Sequence, residues 1–235
     1  MHLPIWPEHL FKPAAALADP SRAAMLAALL DGTAQPAGDL AQAAGIGASA
    51  ASAHLARLRR EGFIVVEQQG RHRYYRLASA EVAAALETMA SLMPQPAARS
   101  RHGDPSLWRA RLCYHLLAGR LGVALRESLI ERKWLRVDGD SYQLDASGRK
   151  ALQRLGILAT DTPIALPGRL CLDWTERRHH IGGPLGRELA HGLIERVHWL
   201  RSGPHRRALV PTAIGLAALS RELGVDPRVL NTIDS

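Results

Sequence analysis

The sequence predicts a mainly α chain with small β-hairpin wings, an α+β fold in two parts, and three observations carry that reading. Residues 48–61 place Ala51, Leu55 and Leu58 at helical spacing, with Gly47 before the run and Gly62 after it. Two runs rich in β-formers, Phe63-Ile64-Val65-Val66 and Arg73-Tyr74-Tyr75-Arg76-Leu77, flank Gln69-Gly70-Arg71-His72, the pattern of a hairpin with a basic tip. The second half repeats itself: residues 115–132 and 179–196 share nine of eighteen positions, including Gly119 with Gly183, Gly122 with Gly186, and the segment Leu-Ile-Glu-Arg.

Taken in order, residues 8–18 read as a short first helix. Asp19-Pro20-Ser21 opens a second, Arg22 to Leu30, with Met25, Leu26, Leu29 and Leu30 apolar and Asp31-Gly32 as its stop. Pro36 precedes a short helix to about Ala44, and Gly45-Ile46-Gly47 turns the chain into the helix of residues 48–61. After the hairpin, Ser79 caps a helix to about Leu92, with Val82, Leu86 and Met89 on one face. Residues 1–92 are thus expected to form one domain. Residues 93–106, with three spaced prolines and a glycine, read as a linker, and 107–235 as a second domain. Its repeat continues through Trp134-Leu135 with Trp199-Leu200 and Leu155-Gly156-Ile157 with Leu223-Gly224-Val225, so two similar helix–wing–helix units are expected, over about 115–157 and 179–225. Cys113 and Cys171 do not correspond in this alignment.

Bulk composition excludes several classes. With 47% hydrophobic and 22% charged residues, the chain has the make-up of a globular protein. No apolar run reaches the ~18 residues of a membrane span, and Met1-His2-Leu3-Pro4 does not begin a signal peptide, which leads to the expectation of a cytoplasmic protein with no membrane partner. Two cysteines cannot build a disulfide framework. The net charge of +8 is unevenly placed: residues 1–92 hold 8 basic and 8 acidic side chains, against 22 and 14 in residues 93–235. Within the neutral half, residues 48–78 concentrate six arginines against Glu61 and Glu67.

A short helix, a tight turn, a second helix and a hairpin come in the order of a winged helix-turn-helix, whose second helix enters the major groove of double-stranded DNA. With Ala51, Leu55 and Leu58 turned inward, Ala48, Ser49, Ser52, Ala53, His54 and Arg57 are the candidates for base or phosphate contact. Arg59 and Arg60, and Arg71 and Arg73 at the hairpin tip, are candidates for phosphates alongside the groove.

Four separated motifs resemble the ArsR-type winged-helix repressors: Leu17-Ala18-Asp19-Pro20-Ser21-Arg22, Asp39-Leu40-Ala41, the run Ser52 to Gly62, and Gly70-Arg71-His72-Arg73-Tyr74-Tyr75-Arg76-Leu77. The resemblance covers about residues 8–92. It implies a homodimer joined through the first and last helices of the domain, an inverted-repeat operator, and repression relieved by an effector. Members of that family carry metal ligands on the helix holding Asp39-Leu40-Ala41 or on the last helix. Here the first stretch has no cysteine and the second has only Glu81 and Glu87, so the effector is expected to be sensed elsewhere.

The second half offers the chemistry. Cys113 with His115, and Cys171 with Asp173, set soft and borderline donors two residues apart, and His179 and His180 add imidazoles. Structural cysteines, thiol sensing and metal binding all remain open readings. Trp174, in the charged segment Asp173 to His180, is a candidate for a small-molecule pocket. The expected cofactor is therefore a metal ion or a small organic effector. Two other functions compete with a regulator: a sequence-independent nucleic-acid binder using the basic second half, and a cysteine-dependent enzyme, for which no nucleophile elbow or phosphate loop appears.

Overall fold

Asp19 accepts the Arg22 amide at 2.9 Å and Pro20 fills the first turn, which starts the helix Pro20–Ala28 where the sequence places it. The computed structural model describes residues 13–70, 72–92 and 105–231. Residues 13–17 (α1) are helical, and 8–12 of the expected first helix lie outside the described residues. After α2 (Pro20–Ala28) a 3-10 turn, Leu29–Asp31, ends at Gly32. Helices α3 (Ala37–Ala43) and α4 (Ala48–Arg60) follow, then strands β2 (Ile64–Gln69) and β3 (His72–Leu77), then α5 (Ala80–Leu92), whose first turn Ser79 caps. The sequence reading missed β1 (Gln35–Pro36), which pairs with Tyr74 and Tyr75 and makes the wing a three-stranded sheet in the order β1-β3-β2. Two residues flanked by Ala34 and Ala37 carry no strand pattern of their own; pairing with β3 makes them a strand. Met25, Leu26, Leu29, Leu40, Leu55, Leu58, Ile64 and Leu77 form the core.

The chain falls into two units, residues 1–83 and 84–235. Most of the expected linker, 93–104, lies outside the described residues, but Pro105 and Ser106 already belong to α6 (Pro105–Arg109), which buries Trp108.

In the second unit each repeat holds the expected helix, wing and helix, preceded by a further hairpin that the sequence reading did not anticipate. The first copy runs β4 (Arg111–Cys113), β5 (Leu116–Ala118), α7 (Gly119–Glu131), β6 (Leu135–Asp138), β7 (Ser141–Leu144) and α8 (Ala146–Arg154). The second runs β8 (Gly168–Leu172), β9 (His179–Gly182), α9 (Gly183–His191), β10 (Leu200–Ser202), β11 (Leu209–Pro211) and α10 (Ala213–Leu223), with α11 (Arg228–Asn231) at its end. The second copy has one residue more between its helix and its wing. A π-helical turn, Gly192–Arg196, extends α9 where the extra residue is taken up.

The copies exchange hairpins. The wing β6–β7 of the first joins β8–β9 of the second in one antiparallel sheet, β6-β7-β8-β9. The wing β10–β11 of the second reaches β4 of the first through the Arg111–Ala208 bridge, with Leu112 N donating to Arg207 O at 2.8 Å. Helix α7 packs on β9 and α9 on β5, the reciprocal arrangement an approximate twofold requires. A void of about 10 Å³ is lined by three corresponding pairs, Leu117 and Ile181, Gly122 and Gly186, Leu125 and Leu189. The two glycines are needed there: a Cβ on Gly122 would lie 2.3 Å from Leu117 O, and one on Gly186 2.0 Å from Ile181 O.

Candidate functional site

At 100° per residue, α4 sets Ser49, Ala53, Ala56 and Arg60 roughly opposite Ala51, with Ser52 and Arg59 beside them. Ala48, Ser49, Ser52, Ala53, Arg59 and Arg60 are accordingly exposed, while Ala51, Leu55 and Leu58 are buried. His54 and Arg57 fall on the flank of the buried stripe and are half-buried. His54 turns toward the start of α2, its Nδ1 3.2 Å from Arg22 Nη1 and 3.9 Å from Asp19 Oδ1. Gly47 precedes α4 without a side-chain cap, so the first amides of the helix keep their donor capacity. Strands β2 and β3 pair from Ile64–Leu77 out to Gln69–His72, which carries Arg73 to the exposed end of the wing. Arg71 lies outside the described residues.

The second unit brings together three of the seven sensor candidates. Cys171 on β8 is the direct cross-strand partner of His180 on β9, and Cys113 closes β4 opposite Leu116. The sulfurs of Cys113 and Cys171 and a ring nitrogen of His180 all lie within 4.8 Å of one another. Cys113 and His180 are buried and Cys171 is half-buried; both cysteines are free. Contact with Cys171, burial and the charge of Glu87 push the Cys113 thiol well above its ordinary pKa, with His180 pulling the other way. Neither ring nitrogen of His180 meets a hydrogen-bond partner among the described residues.

This corrects the expectation that the cysteines do not correspond under the repeat. Counted along the hairpins from Ala118 and Gly182, Leu117 matches Ile181, Leu116 matches His180, and their partners Cys113 and Cys171 coincide. Only Tyr114 and His115 separate Cys113 from Leu116, whereas residues 172–179 separate Cys171 from His180. That difference in loop length shifts an ungapped alignment and hides the match.

The other candidates go elsewhere. His115 lies in the turn, with Tyr114 and His115 both at positive φ (45° and 68°), the conformation of a two-residue hairpin. His179 neighbours His180 on the strand and so faces the opposite side; burial and Arg126 hold its pKa below the usual imidazole value.

Asp173 is wholly buried and fully engaged. Its Oδ1 receives Arg111 Nη2 at 3.1 Å and the amide and hydroxyl of Thr175, and its Oδ2 receives the Gly119 amide at 2.6 Å at the start of α7. Burial alone would raise its pKa, but the Arg111 charge and these donors hold the carboxyl far below the usual carboxylate range. Arg111 also faces Glu87 Oε2 at 3.6 Å, and Arg207 bonds Glu87 Oε1 at 2.7 Å, so two cations and two anions alternate in the interior.

Trp174 is half-buried. It packs on Trp108, with ring centroids 5.6 Å apart, and under the Arg111 guanidinium at 5.2 Å. A depression of about 160 Å³ lies elsewhere, lined by residues including Arg109, Leu209, Leu216 and Leu230. It is smaller than the ~300–1,000 Å³ of most small-molecule sites.

The helix-turn-helix domain family matches residues 17–67. Over 214 residues the chain is 37% identical to YdfF of Bacillus subtilis (strain 168), an HTH-type transcriptional regulator, spanning 89% of this chain and 94% of that one. Over 71 residues it is 46% identical to the HTH-type transcriptional regulator CmtR of Mycobacterium tuberculosis (strain ATCC 25618 / H37Rv), spanning 30% of this chain and 59% of CmtR. Among solved structures, HlyU of Vibrio cholerae matches with 32% identity over 37% of this chain and 95% of its own (TM-score 0.34). The cadmium metal-sensor CmtR of M. tuberculosis matches with 39% identity over 37% and 96% (TM-score 0.31). The chain belongs to the family of helix-turn-helix transcriptional regulators that includes YdfF, with an N-terminal winged helix of the ArsR type.

Proposed function

We propose that this DNA-binding regulator is a homodimeric repressor that reads an inverted-repeat operator with α4 and is released by an effector held in its second unit. The observation that carries the reading is the division of α4 into a buried stripe and an exposed face of small and hydroxyl side chains, Ser49, Ser52 and Ala53, ending in Arg59 and Arg60. Serine hydroxyls can bond base edges or phosphates, and alanine methyls can meet thymine methyls. The uncapped amides at the start of α4 suit a phosphate, and the wing carries Arg73 toward the flanking backbone. His54, tied to Arg22 and Asp19, holds α4 in register with α2 rather than reading bases.

The dimer reading rests on α5. Leu86 is half-buried, Met89 is 42% exposed and Leu92 76% exposed, an apolar row that the described residues leave without cover. The effector reading rests on the missing ligands of the winged helix and on the chemistry gathered around Cys113.

A gel shift with DNA from upstream of the protein's own gene, in the presence of excess random competitor, tests the specific reading. Retention of a discrete complex is expected. Loss of the complex to random DNA at every salt concentration would mean binding by charge alone.

A further inference from the structure

We infer that Cys113, Cys171 and His180 form a binding site for one thiophilic divalent ion of the zinc, cadmium and mercury group. This deepens the effector reading above and rests on it for regulatory meaning, though not for the binding itself.

The three side chains come from strands β4, β8 and β9 of two separate sheets, and their donor atoms already lie within 4.8 Å of each other. Donors around a zinc-sized ion sit roughly 3.5–4 Å apart for metal–sulfur bonds near 2.3 Å and metal–nitrogen bonds near 2.0 Å. Small movements therefore close the set. His180 supplies a second, independent sign. It is wholly buried, yet both ring nitrogens lack a hydrogen-bond partner among the described residues. A buried polar atom without a partner is costly, and an ion beside the two sulfurs would satisfy one of them.

The donors select the ion. Two thiolates and a neutral imidazole are soft to borderline, which disfavours magnesium and calcium. Their combined charge cancels a divalent cation. The nearby carboxylates of Glu87 and Asp173 are already matched by Arg207 and Arg111, so a monovalent ion would leave net negative charge buried. On binding, each thiol gives its proton to solvent as its sulfur–metal bond forms, the ion sheds water, and no electrons move.

Among the described residues a fourth protein ligand is not at hand. Asp173 spends both oxygens on Arg111, Thr175 and Gly119, and His179 faces the other side of the strand. Three donors leave a coordination position open, as suits an ion that exchanges rather than one built in for folding. The half-buried Cys171 offers a route inward. From the site, Cys113 shares its strand face with Arg111, which meets Glu87 on α5.

The test uses the full chain, reduced with a phosphine, titrated with Zn²⁺ and with Cd²⁺ against a chromophoric chelator. One ion per chain is expected, with a thiolate-to-cadmium ultraviolet band of two-thiolate intensity and with both thiols protected from alkylation. Cys171→Ser and His180→Ala should each weaken binding beyond the ~10–100-fold that loss of an outer partner costs. Alkylation protection in the unaltered chain keeps the test decisive if a variant fails to fold. The inference is overturned if the reduced chain binds neither ion at micromolar concentration, if the double variant Cys113→Ser, Cys171→Ser binds as tightly, or if the bound ion leaves both thiols equally reactive. It is likewise overturned if the pair acts only by reversible disulfide formation. Operator binding, measured on the same ion-free sample, separates the two readings: an ion bound without specific DNA binding removes the repressor reading and leaves the site.

Discussion

Glu87 on α5 and Arg207 ahead of β11 meet at 2.7 Å, with the carboxylate side chain only 2% exposed. Arg207 also donates through Nε to Leu112 O at 3.0 Å, and Glu87 reaches Arg111. One carboxylate therefore holds α5 against both the β4 strand and the segment that bridges to it. Removing one partner of a buried pair leaves the other charge uncompensated. Glu87→Ala is expected to destabilise the second unit by roughly 3–5 kcal/mol. The double variant Glu87→Gln, Arg207→Met should lose less than the sum of its single changes, measured by denaturant unfolding.

Acid should act through Asp173. Its folded pKa lies below the unfolded value, so its contribution is complete at neutral pH and is lost as pH falls below about 4. Asp173→Asn should lower the melting temperature at pH 7 and flatten the decline in stability below about pH 4. An unchanged acid limb in this variant would show that other carboxylates govern it.

The twofold contact inside the second unit should tolerate no side chain at its glycines. Gly122→Ala and Gly186→Ala each drive a Cβ to within 2.3 Å of a carbonyl oxygen, and a loss of about 3 kcal/mol or more is expected. Gly38→Ala, with nothing within 4 Å, is the control and should be neutral or slightly stabilising. Thermal unfolding of the three variants side by side makes the comparison.

Wing arginines should act on all sequences alike. Arg71→Ala with Arg73→Ala is expected to weaken binding to operator and random DNA by similar factors, and to reduce the salt dependence by about one to two units. A selective loss on the operator alone would place base reading in the wing.

Charges on the exposed row of α5 should separate the protomers. Met89→Glu with Leu92→Glu is expected to give a monomer at micromolar concentration by analytical ultracentrifugation and to weaken operator binding. A persistent dimer would move the interface away from this row.

Local signals in the sequence determined the N-terminal unit: Asp19 and Pro20 start α2, Gly47 and Gly62 bound α4, and alternation around Gly70 makes the wing. Each of these is set within a few residues, by capping, periodicity or turn conformation. The glycines Gly122 and Gly186 likewise disclosed the repeat, because a close backbone approach leaves room for no other residue. Tertiary structure decided the rest. Gln35–Pro36 is a strand only because Tyr74 and Tyr75 pair with it. His54 turns inward because it flanks the buried stripe and Arg22 stands beside it. Two-residue spacing suggested Cys113 with His115 and Cys171 with Asp173, but a tight turn carries His115 off and Arg111 claims Asp173. Cys113, Cys171 and His180 meet because the hairpins that precede α7 and α9, one from each copy, pack together. Pairing between strands so distant in the chain depends on register and loop length, neither of which leaves a local mark in the sequence.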